Sequence, residues 1–281
     1  MTTNLYLKYT WQQFKKNKAA LYGLILLGII LLLAAFGSCF SPYTYCGIDM
    51  DNKNLPPSFL HLFGTDELGR DVFTRCLFGI RISLFVGIMA ALLDLLIGVV
   101  WGSIAAFFGG ILDEVMMRLC DTFYAIPHLL IVIMLMIVMG PGLLTIITAL
   151  ALSGWINMAR IVRGQILQIK NMEFIKASLA LGASKKRIIF KHLLPNISGP
   201  IIATMTLTIP SAIFAEAFLS FLGLGVQAPI ASLGVMVNDA LCALRYYPWR
   251  LFFPAGIIIM LMLAFNLIGD GLHKAMDVKQ T

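Results

Sequence analysis

The residues in this sequence that could do chemistry are few. Two acids, Asp94 and Glu216, fall inside long apolar runs, and in lipid an unpaired charge costs about 2.5–3.5 kcal/mol or more. Such groups either serve a proton- or sodium-coupled carrier or act as interhelical hydrogen-bond partners facing protein. Two acids alone do not make a relay. Thr204, Thr208 and Ser211 stand at i, i+4 and i+7, so a helix would bring them to one face. The four histidines, His61, His128, His192 and His273, are too far apart for an H-E-x-x-H zinc site, and no G-x-S-x-G nucleophile elbow occurs. None of the 24 glycines is followed by lysine, so no G-x-x-x-x-G-K-[ST] loop cradles nucleotide phosphates. The sequence therefore offers no catalytic constellation and no metal site. Cys39, Cys46, Cys76 and Cys242 fall on or near one side of the expected membrane, with no metal or redox spacing. Free, buried thiols are expected.

The elements that hold these residues are set by composition. Of 281 residues, 59% are hydrophobic and 12% charged, at a mean hydropathy of +0.89; a soluble domain carries about 45–50% and about 25%. A soluble enzyme or nucleic-acid binder is excluded as the default, and so is disorder. Long uncharged runs at 20–40, 82–108, a stretch ending at Met139, 143–162, 197–224 and 251–269 predict six membrane-spanning helices. The third is the least regular, because Pro127 and His128 lie inside it and 113–123 is amphipathic, as in a helix protruding before the proline. The first run is near 20 residues, longer than the roughly 7–15 of a signal-peptide core, so a retained span is expected. Gly98 and Gly102 form a G-x-x-x-G pair suited to packing within the subunit.

Positive charge gives the direction, since short cytoplasmic loops carry the excess. Lys8, Lys15, Lys16 and Lys18 precede the first span. Arg160, Arg163, Lys170, Lys176, Lys185, Lys186, Arg187 and Lys191 surround the loop between spans four and five, opposed only by Glu173, and Lys274 and Lys279 follow the last span. Both termini and that loop are expected in the cytoplasm, with 41–81, 140–142 and 225–250 outside. The expected organisation is a cytoplasmic arm 1–19, a first helix 20–40, an external loop 41–81 and a core 82–281 holding five helices and a cytoplasmic loop 163–196. The basic run Lys185-Lys186-Arg187 would contact acidic lipid headgroups at about 1 kcal/mol per charge. These charges flank span ends without an independent domain, which argues against a nucleic-acid role.

The segment from Glu173 to Asn196 is the most informative. Phe174, Ala177, Ser178 and Ala180 are spaced to give a short helix with an exposed knob. Gly182 stops it, because glycine takes the left-handed conformation a helix stop needs. Ser184 can cap a second helix through 185–192 that reaches Pro195 at the membrane. This helix–turn–helix arm resembles the E-A-A-x3-G-x9-I-x-L-P loop of bacterial ABC importer permeases, with Ala177, Gly182, Leu194 and Pro195 in register. Lys176, Ser178 and His192 depart from it. Leu181, Gly182, Ala183 and Ser184, followed by Arg187-Ile-Ile-Phe and His192-Leu-Leu-Pro-Asn196, are similar to the dipeptide/oligopeptide/nickel branch.

Four further segments resemble the second, or C-type, permease subunit of that branch. They are Gly64-Thr-Asp66-Glu-Leu-Gly69-Arg70-Asp71; Asp113, Arg118 and Asp121 before Pro127; Glu216-Ala-Phe-Leu-Ser-Phe-Leu-Gly-Leu-Gly225; and Asn266-Leu-Ile-Gly269-Asp270-Gly-Leu272 followed by Asp277. His273-Lys274 and Val278 depart from the last pattern. The resemblance implies an all-α membrane protein with the type I ABC importer permease fold, lodged in the bacterial inner membrane. It implies half of a translocation pathway, completed by a second related permease, energised by two cytoplasmic ATPase subunits and fed by an external solute-binding protein. ATP and magnesium would sit on those partners, and this chain would hold no cofactor. The cargo implied is a peptide, with nickel or another small solute as the alternative inside the family and an ion-coupled carrier using Asp94 and Glu216 outside it. The arm 173–184 would dock on an ATPase subunit. The Thr204, Thr208, Ser211 face, loosened by Pro210, would line the passage and bond a peptide main chain, or would let helices pack closely. Arg118 and Asp121 are expected to pair along one helical face and brace the arm.

Overall fold

The computed structural model describes residues 3–227 and 229–277; Val278 and Lys279 lie outside the described residues. Among the described residues the regular elements are helical, with one isolated bridge between Thr65 and Asp71. An amphipathic α1 (Thr3–Lys16) breaks at Asn17, whose side chain caps α2 (Lys18–Phe40) by accepting from the Ala19 and Ala20 amides. After a 3-10 turn at Met50–Asn52 comes α3 (Val72–Phe108), the longest helix at 37 residues. It begins ten residues before the expected start. Arg81, the last charge before the apolar run, does not bound it; what starts it is the Asp71 carboxylate, which accepts from the Thr74 amide at 2.8 Å. Its first turns carry Arg75 into an acidic network and Arg81 onto the Ala34 carbonyl at 2.5 Å, so ten residues of the expected external loop are helical.

Gly109 and Gly110, at φ +66° and +58°, turn the chain from α3 into α4 (Gly110–Tyr124). Pro127 then separates α4 from α5 (His128–Met139), and the two meet at 81°. The irregular third span is thus a broken one: α5 has 12 residues, about 18 Å, so it cannot cross about 30 Å of hydrocarbon unaided. Among the described residues five helices are long and apolar enough to span, six if this bent pair counts as one. Next come α6 (Leu143–Ile169), α7 (Glu173–Ala180) and α8 (Lys185–Arg187), a π-helical segment Ile188–Leu193, and α9 (Leu194–Asn196). The second helix of the arm therefore runs on through Pro195. The proline lacks the amide that would close an ordinary turn, and the widened π-helical turns lie just before it. The chain closes with α10 (Ser198–Phe221), α11 (Leu233–Leu241) and α12 (Trp249–Asp277).

The centre is the α3–α6 contact. A side chain at Gly98 would meet Met158 Cβ at 2.6 Å and the Trp155 carbonyl at 2.7 Å, and one at Gly102 would strike the Ala159 carbonyl. The G-x-x-x-G pair thus packs within the subunit, as expected. Packing this close supplies the dispersion that holds helices together where lipid tails are as apolar as leucine. A separate apolar cluster roots the arm: Ile175, Ile188, Leu193 and Ile197 are fully buried against Ala106, Val162 and Ile166.

Candidate functional site

The arm between α6 and α10 is a knob on a buried root. Ile175 points inward, whereas Phe174, Ala177, Leu179 and Leu181 stay exposed, Leu181 to 88%. The turn is closed by the Leu181 amide on the Ala177 carbonyl and the Ala183 amide on the Ser178 carbonyl, both at 3.0 Å. Gly182 carries it at φ +78°, with open space where a side chain would stand. Ser184 accepts from the Arg187 amide at 3.3 Å, the cap read from sequence. Ser178 donates back to the Phe174 carbonyl, and Glu173 begins the first turn. In the basic run, Lys185 lies 5.0 Å over the Phe108 ring, while Lys186 and Arg187 are exposed.

Three polar ties fix the end of α6, from which the arm springs, to its neighbours α3 and α4. Lys170 donates to the Ala106 carbonyl at 2.9 Å. Arg163 grips Asp113 with two bonds, at 2.6 and 2.7 Å, and Arg160 donates to Asp121 at 2.8 Å while lying 4.6 Å over Tyr124. The expected Arg118–Asp121 pair is not the one formed: Asp121 turns to Arg160 on α6. Two antiparallel rungs therefore join α4 to α6, and Arg118 lines a separate cleft with Glu114 and Arg163.

Deeper in the bundle, an open cavity of about 650 Å³ is lined by α3, α5, α6, α10 and α12. It brings together Thr204, Thr208 and Ser211, the face read from sequence, and adds Asp94, His128, Ser153, Asn157 and His273. The three hydroxyls donate to carbonyls four residues back, at 2.8, 3.0 and 3.1 Å. Asp94 is 3% exposed, and its Oδ1 finds no donor among the described residues. It occupies the space left by Gly154, where any side chain would collide with the carboxylate. Glu216 lies elsewhere. It is fully buried and does not line the cavity; Ser83 donates to its Oε2 at 3.0 Å and Ser220 to its Oε1 at 2.8 Å. Neither Gly154 nor His128 was picked out from the sequence as a site residue. A glycine facing a buried acid one helix away leaves no local signal.

The remaining motifs build supports. Gly64 and Gly69, at φ +75° and +71°, press against the Leu55 and Asp49 carbonyls. Asp66 accepts from the Leu68 and Arg70 amides and from Arg70 Nε at 2.6 Å, with Arg75 3.5 Å away. Asp71 also takes His61 Nδ1 at 3.0 Å. Burial pushes the Asp239 carboxyl upward, with Arg75 at 4.0 Å opposing. On α12, Gly269 packs on Leu207 and Gly271 on Ala20, leaving Asn266 and Asp270 exposed one turn apart. Pro195 is exposed at the arm's end. The cysteines are free, but Cys39, Cys46 and Cys242 are exposed, against expectation; Cys76 and Cys120 are buried.

Residues 98–280 match the family model described as the binding-protein-dependent transport system inner membrane component, and residues 6–57 match the N-terminal transmembrane domain of oligopeptide transport permease C. The chain is 58% identical to the oligopeptide transport system permease protein OppC of Bacillus subtilis (strain 168), over 95% of this chain and 88% of that protein. It is 57% identical to the dipeptide transport system permease protein DppC of the same organism, over 98% and 86%. A solved inward-facing structure of the MetNI methionine ABC transporter superposes at a TM-score of 0.60 with 21% identity, over 70% of this chain and 94% of that one.

Proposed function

From its membership of the inner-membrane components of binding-protein-dependent transport systems, we propose that this chain is one permease half of an ATP-driven importer of peptides. It is a multi-pass protein of the bacterial inner membrane with the type I ABC importer permease fold. The observation that carries the cargo is the 57–58% identity, over nearly the whole chain, to an oligopeptide and a dipeptide permease. On this reading a second related permease completes the path, two cytoplasmic ATPase subunits drive it with ATP and magnesium, and an external binding protein delivers the peptide. The termini and the α7–α9 arm lie in the cytoplasm, in keeping with the placement of lysine and arginine.

The coupling runs through the arm. Phe174, Ala177, Leu181 and Gly182 present an exposed face suited to a groove on an ATPase subunit, and Ile175, Ile188 and Leu193 hold that face to the bundle. When the ATPase pair closes on nucleotide, a push on the knob reaches α6 and α10 with little lost in bending, because buried isoleucines stand between and two ion pairs hold α6 to α4. The Thr204, Thr208, Ser211 face then belongs to the path, and Glu216 to the scaffold. An ion-coupled carrier would need its acids on one route, and Glu216 is shut off in a cage of serine hydroxyls. Reconstitution of the chain with its partner permease, ATPases and loaded binding protein tests this. Peptide uptake that requires ATP inside the vesicle is expected; uptake driven by a proton gradient without ATPase subunits would overturn it.

A further inference from the structure

We propose that Asp94 receives the α-ammonium group of the peptide as it crosses this half of the path, an assignment that rests on the peptide-importer reading above. The carboxylate is 97% removed from solvent by its neighbours, lines the cavity of about 650 Å³ and leaves Oδ1 without a donor. Leaving such a group unpaired is costly, and Gly154 leaves the room that admits it. The surrounding chemistry selects the ligand. Thr204, Thr208 and Ser211 have given their protons to their own helix, so toward the cavity they offer lone pairs only. A carboxylate beside a row of acceptors suits a group with several N–H donors and no acceptor, which describes a primary ammonium.

A metal ion fits less well, since no three His, Cys, Asp or Glu side chains converge among the described residues. Arg160 lines the same cavity while already holding Asp121. The lining thus carries a negative group for one end of a zwitterion and a positive group for the other. Glu216 has no such role, because serine hydroxyls already answer both of its oxygens.

The test separates this site from selection by the binding protein. Maximum uptake rates are measured in proteoliposomes carrying the whole transporter, at saturating loaded binding protein, for one peptide with a free amine and the same peptide N-acetylated. The wild type should move the free-amine peptide about tenfold faster, the scale of a single charge-assisted hydrogen bond. Asp94→Asn should slow only that peptide and bring the ratio near one, and Asp94→Glu should restore most of it. Unchanged acetyl-peptide uptake in Asp94→Asn reports that the variant has assembled. Parity of the two peptides in the wild type, which needs no variant, overturns the assignment, as does an Asp94→Asn protein that keeps the wild-type ratio. Both of those outcomes leave ATP-driven peptide uptake intact, whereas absence of ATP-driven uptake of either peptide by the wild type sinks the importer reading itself.

Discussion

Replacing Asp113 by Asn and Arg163 by Gln, singly and together, tests whether the arm is braced through α4. The pair makes two parallel bonds at 2.6 and 2.7 Å, with Asp113 13% and Arg163 35% exposed. Full exposure would leave about 0.2–1 kcal/mol, and charged hydrogen bonds in burial are worth about 1.5–3. The geometry lies between, so a value near 1.5 kcal/mol is expected for Asp113→Asn. Arg163→Gln should cost more, about 2–3 kcal/mol, because it strands a mostly buried carboxylate. The double variant removes the stranded charge and should cost about 2 kcal/mol, well under the sum. Thermal unfolding of the purified transporter reads this, at about 2–4 °C per kcal/mol for chains of this class, with Trp101 and Trp155, edge to face with ring centroids 5.1 Å apart beside α4, as reporters. ATP consumed per peptide transported should rise in both single variants. If the two effects add to within about 0.3–0.5 kcal/mol, the residues do not act as a pair and the bracing argument fails.

At Gly182, Asn tolerates a positive φ and should keep folding and transport, whereas Trp adds bulk in space that is open within this chain. Gly182→Trp meets a left-handed backbone costing about 1–2 kcal/mol but no clash, so it should fold yet lose ATPase stimulation by loaded binding protein; survival of both uptake and stimulation would remove the coupling role. Gly102→Val pushes a side chain into the Ala159 carbonyl and should destabilise the transporter by about 1–3 kcal/mol. Gly164→Ala, with nothing near its added methyl, should be neutral or stabilising by up to about 1 kcal/mol, and a matched loss at both sites in melting experiments would refute the close-packing account. Because burial raises the Asp239 carboxyl above its ordinary range, its contribution to folding is present at low pH and is lost as pH rises through the raised value. Asp239→Asn should therefore flatten that part of the stability–pH curve, and an unaltered slope would show that the carboxyl is not the source.

What could be read from the residues was whatever the chain announces locally. Gly182 and Ser184 stop and restart a helix with their own backbone and side chain, so the arm's turn was visible in advance. The same local rule misled at Asp121: Arg118 sits three residues away on the same helix, but Arg160 reaches it from α6 with a 2.8 Å bond. Hydropathy found the spans and missed their ends, because α3 starts at a cap rather than where charge stops, and α12 carries Asp270 and Lys274 on its final turns. The cavity was half legible. Helical periodicity grouped Thr204, Thr208 and Ser211 and the charge rule flagged Asp94, but their meeting depends on α3 pressing against α6 at Gly154. Glu216 was flagged by the same charge rule, yet Ser83 from α3 and Ser220 one turn along α10 answer its two oxygens. Nothing in the spacing reveals that.

The length of α3 has a mechanical side. It runs about 55 Å at 1.5 Å per residue, without a proline, from the cap at Asp71 to the turn at Gly109. By contrast, α10 and α12 each carry an internal proline, Pro210 and Pro254, where bending is cheap. The C-terminal end of α3 holds Lys170 and lies under Lys185, and its N-terminal end anchors His61 and, through Arg75, Asp66. A tilt of about 5° about its midpoint would move each tip of such a rod by about 2.4 Å, in opposite directions and at the same instant. The arm and the loop before α3 are then two ends of one seesaw, with Ala90 at its fulcrum and the Gly98–Gly102 contact on the arm's side of it.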